Sequence, residues 1–325
     1  MDERVFLLGA GFSKAICAEM PLMRELGEAV GSQLNREGHS LPASLSQFGD
    51  DFEQLLSYLA EWQPWLDHAE VLRNRASFLD VSRAVGDVIR ERQAAAIRLP
   101  QPTWMRDLIG YWDRMKSTVI TLNYDVLVEA AAIEQTNVGS WSDLYRAPVI
   151  PAAARTSAVL GGSPAESFAL LKLHGSVTWF WSGIESIPSD PIYDAGLCGG
   201  WSLAGLISRY ENLDRLVADK VPMVVPPTAT KSAFYDNATL RSQWQSACKA
   251  LENADELVLI GYSLPASDTV VRALLRTTFA GSAVIPVDVG GMVVEHAGSL
   301  FADRVVSAFC NRTDAVEAFV RMTCG

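Results

Sequence analysis

The sequence predicts an α/β fold built on a doubly wound parallel sheet, and three observations carry that expectation. Short apolar runs rich in Val, Ile and Leu recur at residues 5–8, 118–122, 170–173, 223–225, 257–260 and 283–287. Runs without polar alternation are what strands buried on both faces of a parallel sheet require. Amphipathic helical stretches separate them: Phe52, Leu55, Leu56 and Leu59 fall at i, i+3, i+4 and i+7, and Leu240, Trp244, Ala247, Cys248 and Leu251 form a similar stripe just before the run at 257. Finally, the first run passes straight into Gly9-Ala10-Gly11-Phe12-Ser13, a glycine turn of the kind that opens the first helix of such a sheet. The expected architecture is Rossmann-like: one domain over residues 1–325, with a helical subdomain inserted at about 48–116.

Taken along the chain, each element has a local reason. Gly9 and Gly11 let the backbone turn tightly after the first strand. Residues 48–116 are helical in pattern almost throughout, far more than one crossover needs; Asp50, with Glu53 three residues on, resembles a capping box. The Arg-bearing stretch 67–97 reads as a solvated helix pair or an assembly surface. Residues 135–210, rich in Ser, Gly, Pro, Ala and Trp, read as irregular covering around the strand at 170; Trp179, Phe180 and Trp181 there either wall a ligand pocket or pack in the core. Val225-Pro226-Pro227-Thr228 reads as a rigid loop, and Pro286 puts the last strand near an edge.

Composition bounds the function. Half the residues (49%) are hydrophobic, enough for a sizeable core, and 27 Lys and Arg against 38 Asp and Glu give a net charge of −11. So acidic a chain has no general attraction for nucleic acid or anionic membrane, and no basic patch stands out. Neither direct nucleic-acid binding nor membrane insertion is expected, and no run reaches the roughly 18 apolar residues of a span. Cys17, Cys198, Cys248, Cys310 and Cys324 are odd in number and never closer than fourteen positions, which speaks against a disulfide framework and a four-thiolate zinc site. Cys17 and Cys248 read as small buried helix residues. The expected compartment is the cytoplasm, because Met1-Asp2-Glu3-Arg4 lacks the basic start of a secretion signal.

Three later strands end in polar clusters: Thr121-Leu122-Asn123-Tyr124-Asp125, Leu173-His174-Gly175-Ser176 and Gly261-Tyr262-Ser263-Leu264. In a parallel sheet these carboxyl ends open onto one crevice, where such folds bind ligands. His174 is one of only four histidines. At a strand end beside Gly-Ser, with an Asn-x-Asp at another strand end, it is a catalytic candidate with a pKa suited to neutral pH. Asp125 reads either as part of that site or as a helix cap. The glycine turn lacks the third glycine of the dinucleotide fingerprint, since Lys14 stands there, and this speaks against an ordinary dehydrogenase.

Together with the Gly9–Ser13 turn, these clusters resemble, in order, the NAD-consuming sirtuin superfamily, most closely its zinc-free bacterial branch. The resemblance implies that Gly9, Ala10, Gly11, Phe12 and Ser13 hold the pyrophosphate, while Thr121, Asn123 and Asp125 border the nicotinamide and ribose. It implies that His174 is the general base and that Gly261, Tyr262, Ser263 and Asp288 face the adenosine half. The family commonly has Asn where Asp288 stands. The chain carries none of the paired cysteines of the zinc module that shapes the deacylases' peptide groove. The expected activity is therefore NAD hydrolysis without a metal, of the kind that depletes NAD in bacterial anti-phage defence. Such an enzyme would be gated by homo-oligomerisation or by a sensor protein such as an ATPase or an Argonaute-like partner. A deacylase lacking the zinc module and a non-catalytic NAD- or ADP-ribose-binding module are the alternatives.

Overall fold

The computed structural model describes residues 3–39, 48–49, 51–138, 141–155, 166–196, 215–228 and 231–324. Strand β1 (Arg4–Leu8) leads into α1 (Ala10–Ile16), and four helices follow: α2 (Met23–Arg36), α3 (Phe52–Ala60), α4 (His68–Ile97) and α5 (Thr103–Met115). Next come β2 (Thr118–Thr121), α6 (Leu127–Gln135), β3 (Val149–Pro151), β4 (Ala169–Lys172), β5 (Gly175–Trp181), β6 (Ile192–Asp194) and β7 (Val221–Val224). The chain continues through α7 (Ser232–Tyr235), α8 (Ala238–Asn253), β8 (Glu256–Ile260), α9 (Thr269–Thr278), β9 (Ala283–Asp288), α10 (Met292–Phe301), β10 (Phe309–Cys310) and α11 (Ala315–Thr323).

Six strands form a wholly parallel sheet in the order β10-β9-β8-β1-β2-β4. Residue alternation explains why its strands read as unbroken apolar runs. Phe6, Leu8, Val119, Leu170, Val258, Ile260 and Ile285 pack on one face with α5, α6 and α11. Val5, Leu7, Ile120, Leu171, Leu257, Leu259 and Val284 pack on the other with α8, α9 and α10. Phe6, fully buried, meets Trp112 of α5 edge-on at 5.4 Å and Phe319 of α11 at 6.4 Å, clamping the central strand to two helices. Burying one such ring contributes roughly 1.5–3 kcal/mol. Pro286 is accommodated in β9, beside the two-residue edge strand β10.

The run at 223–225 is a departure from the sequence reading. It belongs not to the parallel sheet but to a second, four-stranded sheet ordered β3-β6-β5-β7, in which β5 pairs antiparallel with both β6 and β7. Part of the expected irregular covering is thus regular structure. Gly175, at φ +77, makes the sharp exit from His174 into β5; a side chain there would sit 1.9 Å from the Met223 carbonyl oxygen. Trp179, Phe180 and Trp181 are buried in this sheet.

Helices α2, α3 and α4 pack on one another and on the second sheet, whereas α5 packs on the parallel sheet. Leu26, Val30 and Leu34 of α2, Phe52, Leu56 and Leu59 of α3, and Phe78, Val81, Val85 and Ile89 of α4 form one core with Val177 and Val224. The stretch expected as a helix pair is one helix, α4, opened by a reciprocal cap between Asp67 and Glu70 and buried along one face. Asp51 caps α3 by accepting from the Gln54 N–H (2.9 Å); Asp50 lies outside the described residues, as does Cys198. Cys17 is buried, whereas Cys248 on α8 is half-exposed. No described helix is long and apolar enough to cross a membrane.

Candidate functional site

The strand order defines where a site can form. The chain winds outward from β1 to β2 and β4, then returns to the other side of β1 and winds outward through β8, β9 and β10. At that reversal, between β1 and β8, the connections after the two strands diverge and leave a crevice at the carboxyl ends. Its volume is about 970 Å³, and its lining includes Gly9, Ala10, Gly11, Ser13, Asn123, Tyr124, Asp125, His174, Gly261, Tyr262, Ser263 and Asp288. Such a volume lies at the upper end for small-molecule pockets and is ample for a dinucleotide. Phe12 and Thr121 are not in the lining. Phe12 is buried against Trp104 and Trp112, and the Thr121 hydroxyl accepts from the Asn123 N–H at 3.1 Å.

The glycines have a structural duty of their own. The Gly11 N–H donates to the Gly261 carbonyl (2.9 Å), and a side chain on Gly9 would lie 2.6 Å from that same oxygen. Gly261 adopts φ +61, and a Cβ there would lie 2.1 Å from the Phe12 nitrogen. The two turns at the reversal point therefore touch through backbone alone.

Ser13, read from sequence as a phosphate donor, is engaged within the protein. Its hydroxyl donates to Asp125 Oδ2 (2.6 Å) and accepts from Asn123 Nδ2 (2.9 Å), which also donates to the Gly9 carbonyl (2.9 Å). Asp125 Oδ1 accepts from the Leu127 N–H (3.2 Å), so this carboxylate both caps the start of α6 and anchors the network. Asn123, Ser13 and Asp125 are thereby locked together, and the glycine turn is tied to the end of β2.

Beneath them lies a buried ion pair. Lys172 Nζ donates to the Asp125 main-chain carbonyl (2.5 Å) and to Glu129 Oε1 (2.9 Å), and Tyr145 Oη donates to the same Glu129 oxygen (2.9 Å). Both ends of this ion pair are only 1% exposed.

His174 sits at the floor of the crevice, buried, with no hydrogen-bond partner on Nε2 among the described residues. Burial, with a smaller contribution from the Lys231 ammonium, pushes the imidazole pKa down to about 3, partly opposed by Asp268. The ring is therefore neutral across the physiological range. Facing it are residues that motif reading missed. Lys231 Nζ pairs with Asp268 Oδ1 at 3.2 Å, both nearly buried, and Tyr262 Oη donates to Asp268 Oδ2 at 2.8 Å. Burial raises the Asp268 carboxyl, but the Lys231 ammonium and the hydrogen bonds from Tyr262 and Lys231 hold it below its ordinary value. Glu53 of α3 also lines the crevice; burial raises its pKa, and it accepts from the Ser267 hydroxyl at 2.7 Å. Lys231 and Asp268 stand 37 positions apart, so no spacing signals them.

No cluster of three or more His, Cys, Asp or Glu able to hold a metal occurs among the described residues. The crevice thus brings a glycine turn, an oriented amide and a neutral imidazole to one place.

No protein-family model and no curated protein matches the chain. Solved structures do resemble it. A Sir2 homologue mutant in complex with 2′-O-acetyl ADP ribose matches with a TM-score of 0.45 at 13% identity, over 98% of this chain and 91% of the other. Sir2Tm bound to a propionylated peptide matches with a TM-score of 0.44 at 14% identity, over 98% and 91%. Sir2 with a p53 peptide and NAD+ matches with a TM-score of 0.40 at 15% identity over the same shares.

Proposed function

We propose that the crevice binds NAD and hydrolyses its bond between nicotinamide and ribose, releasing nicotinamide and ADP-ribose. The observation that carries this reading is His174: a neutral, buried imidazole with an unpartnered nitrogen, on the floor of a dinucleotide-sized crevice. An orphaned buried polar atom calls for a partner, and a ligand hydroxyl or a held water supplies one. The pyrophosphate lies over the Gly9–Gly11 turn, the nicotinamide ribose lies toward Asn123 and His174, and the adenosine lies toward Gly261 and Asp288.

In this reaction the C–N bond at C1′ breaks, nicotinamide leaves with the electron pair, and a water oxygen bonds to C1′. That oxygen becomes strongly acidic as the bond forms, so even a weakly basic imidazole takes its proton, directly or through a ribose hydroxyl. Asn123, fixed by Gly9 and Ser13, orients the sugar or the water. Following nicotinamide release with and without an acylated peptide tests the reading. Equal rates are expected, and strict dependence on the peptide would assign a deacylase instead.

Regulation belongs to the helical segment. The α3–α4 connection exposes Trp62 and Trp65, and α4 exposes Leu72 and Leu79, one heptad apart. Glu53 of α3 meanwhile reaches the crevice. A surface of this kind suits self-association or docking of a sensor such as an ATPase or Argonaute-like protein, in a cytoplasmic, NAD-depleting defence role. Specific activity is expected to rise with protein concentration, in step with particle size from light scattering. Full activity from a strict monomer would contradict gating by assembly.

A further inference from the structure

We propose that Lys231 is a positioning residue that acts through His174: it takes up the charge of the Asp268 carboxylate and so leaves the neighbouring imidazole free to accept a proton. The inference rests on the reading of His174 as the base, and names what keeps that base available.

Three elements bring the three groups together. The Val225 N–H, just after β7, donates to the His174 carbonyl (2.9 Å), and the chain then reaches Lys231 at the start of α7. Trp244 of α8 ties the two segments, its ring 6.3 Å from that of His174 and 5.0 Å from that of Tyr235 in α7. Asp268 comes from the connection between β8 and α9, and His174, Lys231 and Asp268 all line the crevice. Each Asp268 oxygen is engaged: Oδ1 faces Lys231 Nζ at 3.2 Å, and Oδ2 accepts from Tyr262 Oη at 2.8 Å.

A buried carboxylate beside a histidine ordinarily draws a proton onto the ring, because the imidazolium is its nearest counter-charge. The Lys231 ammonium meets that demand first and also opposes a proton arriving at the ring. Without it, Asp268 Oδ1 would be an uncompensated buried charge near the unpartnered Nε2 of His174, and a proton on the ring would compensate it. An imidazolium cannot take a proton from water or a ribose hydroxyl, so the base would be lost progressively as pH falls. The surrounding groups offer no substitute cation. Burial raises the pKa of Tyr124, Tyr235 and Tyr262, which keeps them neutral, and Glu53 is an acid. Arg272 of α9 donates to the Leu264 carbonyl and the Ser299 hydroxyl, Lys172 is bound to Glu129, and Asp125 is held by Ser13.

Lys231→Gln removes the charge while keeping a donor for Asp268; combined with Asp268→Asn it removes both charges. Imidazole nitrogen NMR reads the ring without any substrate, since the chain has only four histidines and His174→Ala identifies the signal. The wild-type ring should stay neutral down to about pH 5, whereas in Lys231→Gln its proton affinity is expected to rise about 100-fold. The double variant should return it close to the wild-type value, and Asp268→Asn alone should lower it further. In step, kcat/KM for NAD should gain an acid limb in Lys231→Gln and lose it in the double variant, with melting curves confirming that each protein is folded. An unmoved ring in folded Lys231→Gln, a raised affinity that persists in the double variant, or a rise in Asp268→Asn would each overturn the proposal. Failure of the wild-type protein to cleave NAD would overturn the hydrolase reading alone, because the NMR titration still decides the role of Lys231.

Discussion

His174→Ala and Asn123→Ala are each expected to lower NAD turnover by about 100-fold or more, the usual scale for losing an acid–base or orienting group at a reacting centre. Neither change should unfold the chain, since Nε2 of His174 supports nothing within the protein and Asn123 bonds only at the crevice wall. The pH profile carries a second signature. An ordinary histidine base would be lost as pH fell through about 6.5. With its pKa at about 3, His174 stays neutral, so kcat/KM should show no histidine inflection near neutrality. The same depression affects stability with a definite sign. Below about 6.5 the unfolded chain's histidine binds a proton that the folded site refuses, so this contribution to stability is full above that pH and is lost as pH falls toward 3. Steady-state kinetics of the two variants, with melting curves alongside, check both points; wild-type turnover in either variant would remove that residue from the site.

The largest expected effect on stability lies beneath the crevice. Lys172→Met leaves Glu129 buried and unpaired, which costs about 3–5 kcal/mol. The double change Lys172→Met with Glu129→Leu removes both charges, and replacing a buried pair by apolar groups is often near neutral. The double variant should therefore recover most of the loss, with a residue remaining because Tyr145 and the Asp125 carbonyl lose their partners. Urea unfolding of wild type, both single variants and the double variant measures this. Additive losses would show that the charges do not depend on each other.

Much of this fold was legible because its central strands are buried on both faces. Alternate residues of β1, β2, β4, β8 and β9 enter two separate cores, and only continuous apolar runs allow that. Order along the chain then brought the glycine turn, Asn123, Asp125, His174 and Gly261 to one sheet end. The run at 223–225 looked identical by composition, yet pairs with β5, because a short run carries no record of its partner. The β5 strand escaped notice because its Ser, Thr and Trp do not form an apolar run, although all seven residues are buried. Glu53, Lys231 and Asp268 could not be found by motif, since tertiary folding alone assembles them. Lys172 did leave a trace: a lysine inside an otherwise apolar strand run must find a buried counter-charge, and Glu129, four residues after Asp125, supplies it. Ser13 lines the crevice, but its hydroxyl faces Asp125 and Asn123.

The proposed hydrolysis consumes only NAD and water and needs no second substrate. Purified protein, assembled at high concentration, is incubated with excess NAD alone, and the products are separated by chromatography. Release of nicotinamide and ADP-ribose in equal amounts, far beyond one equivalent per chain, is expected. NAD left intact by the assembled protein would contradict it.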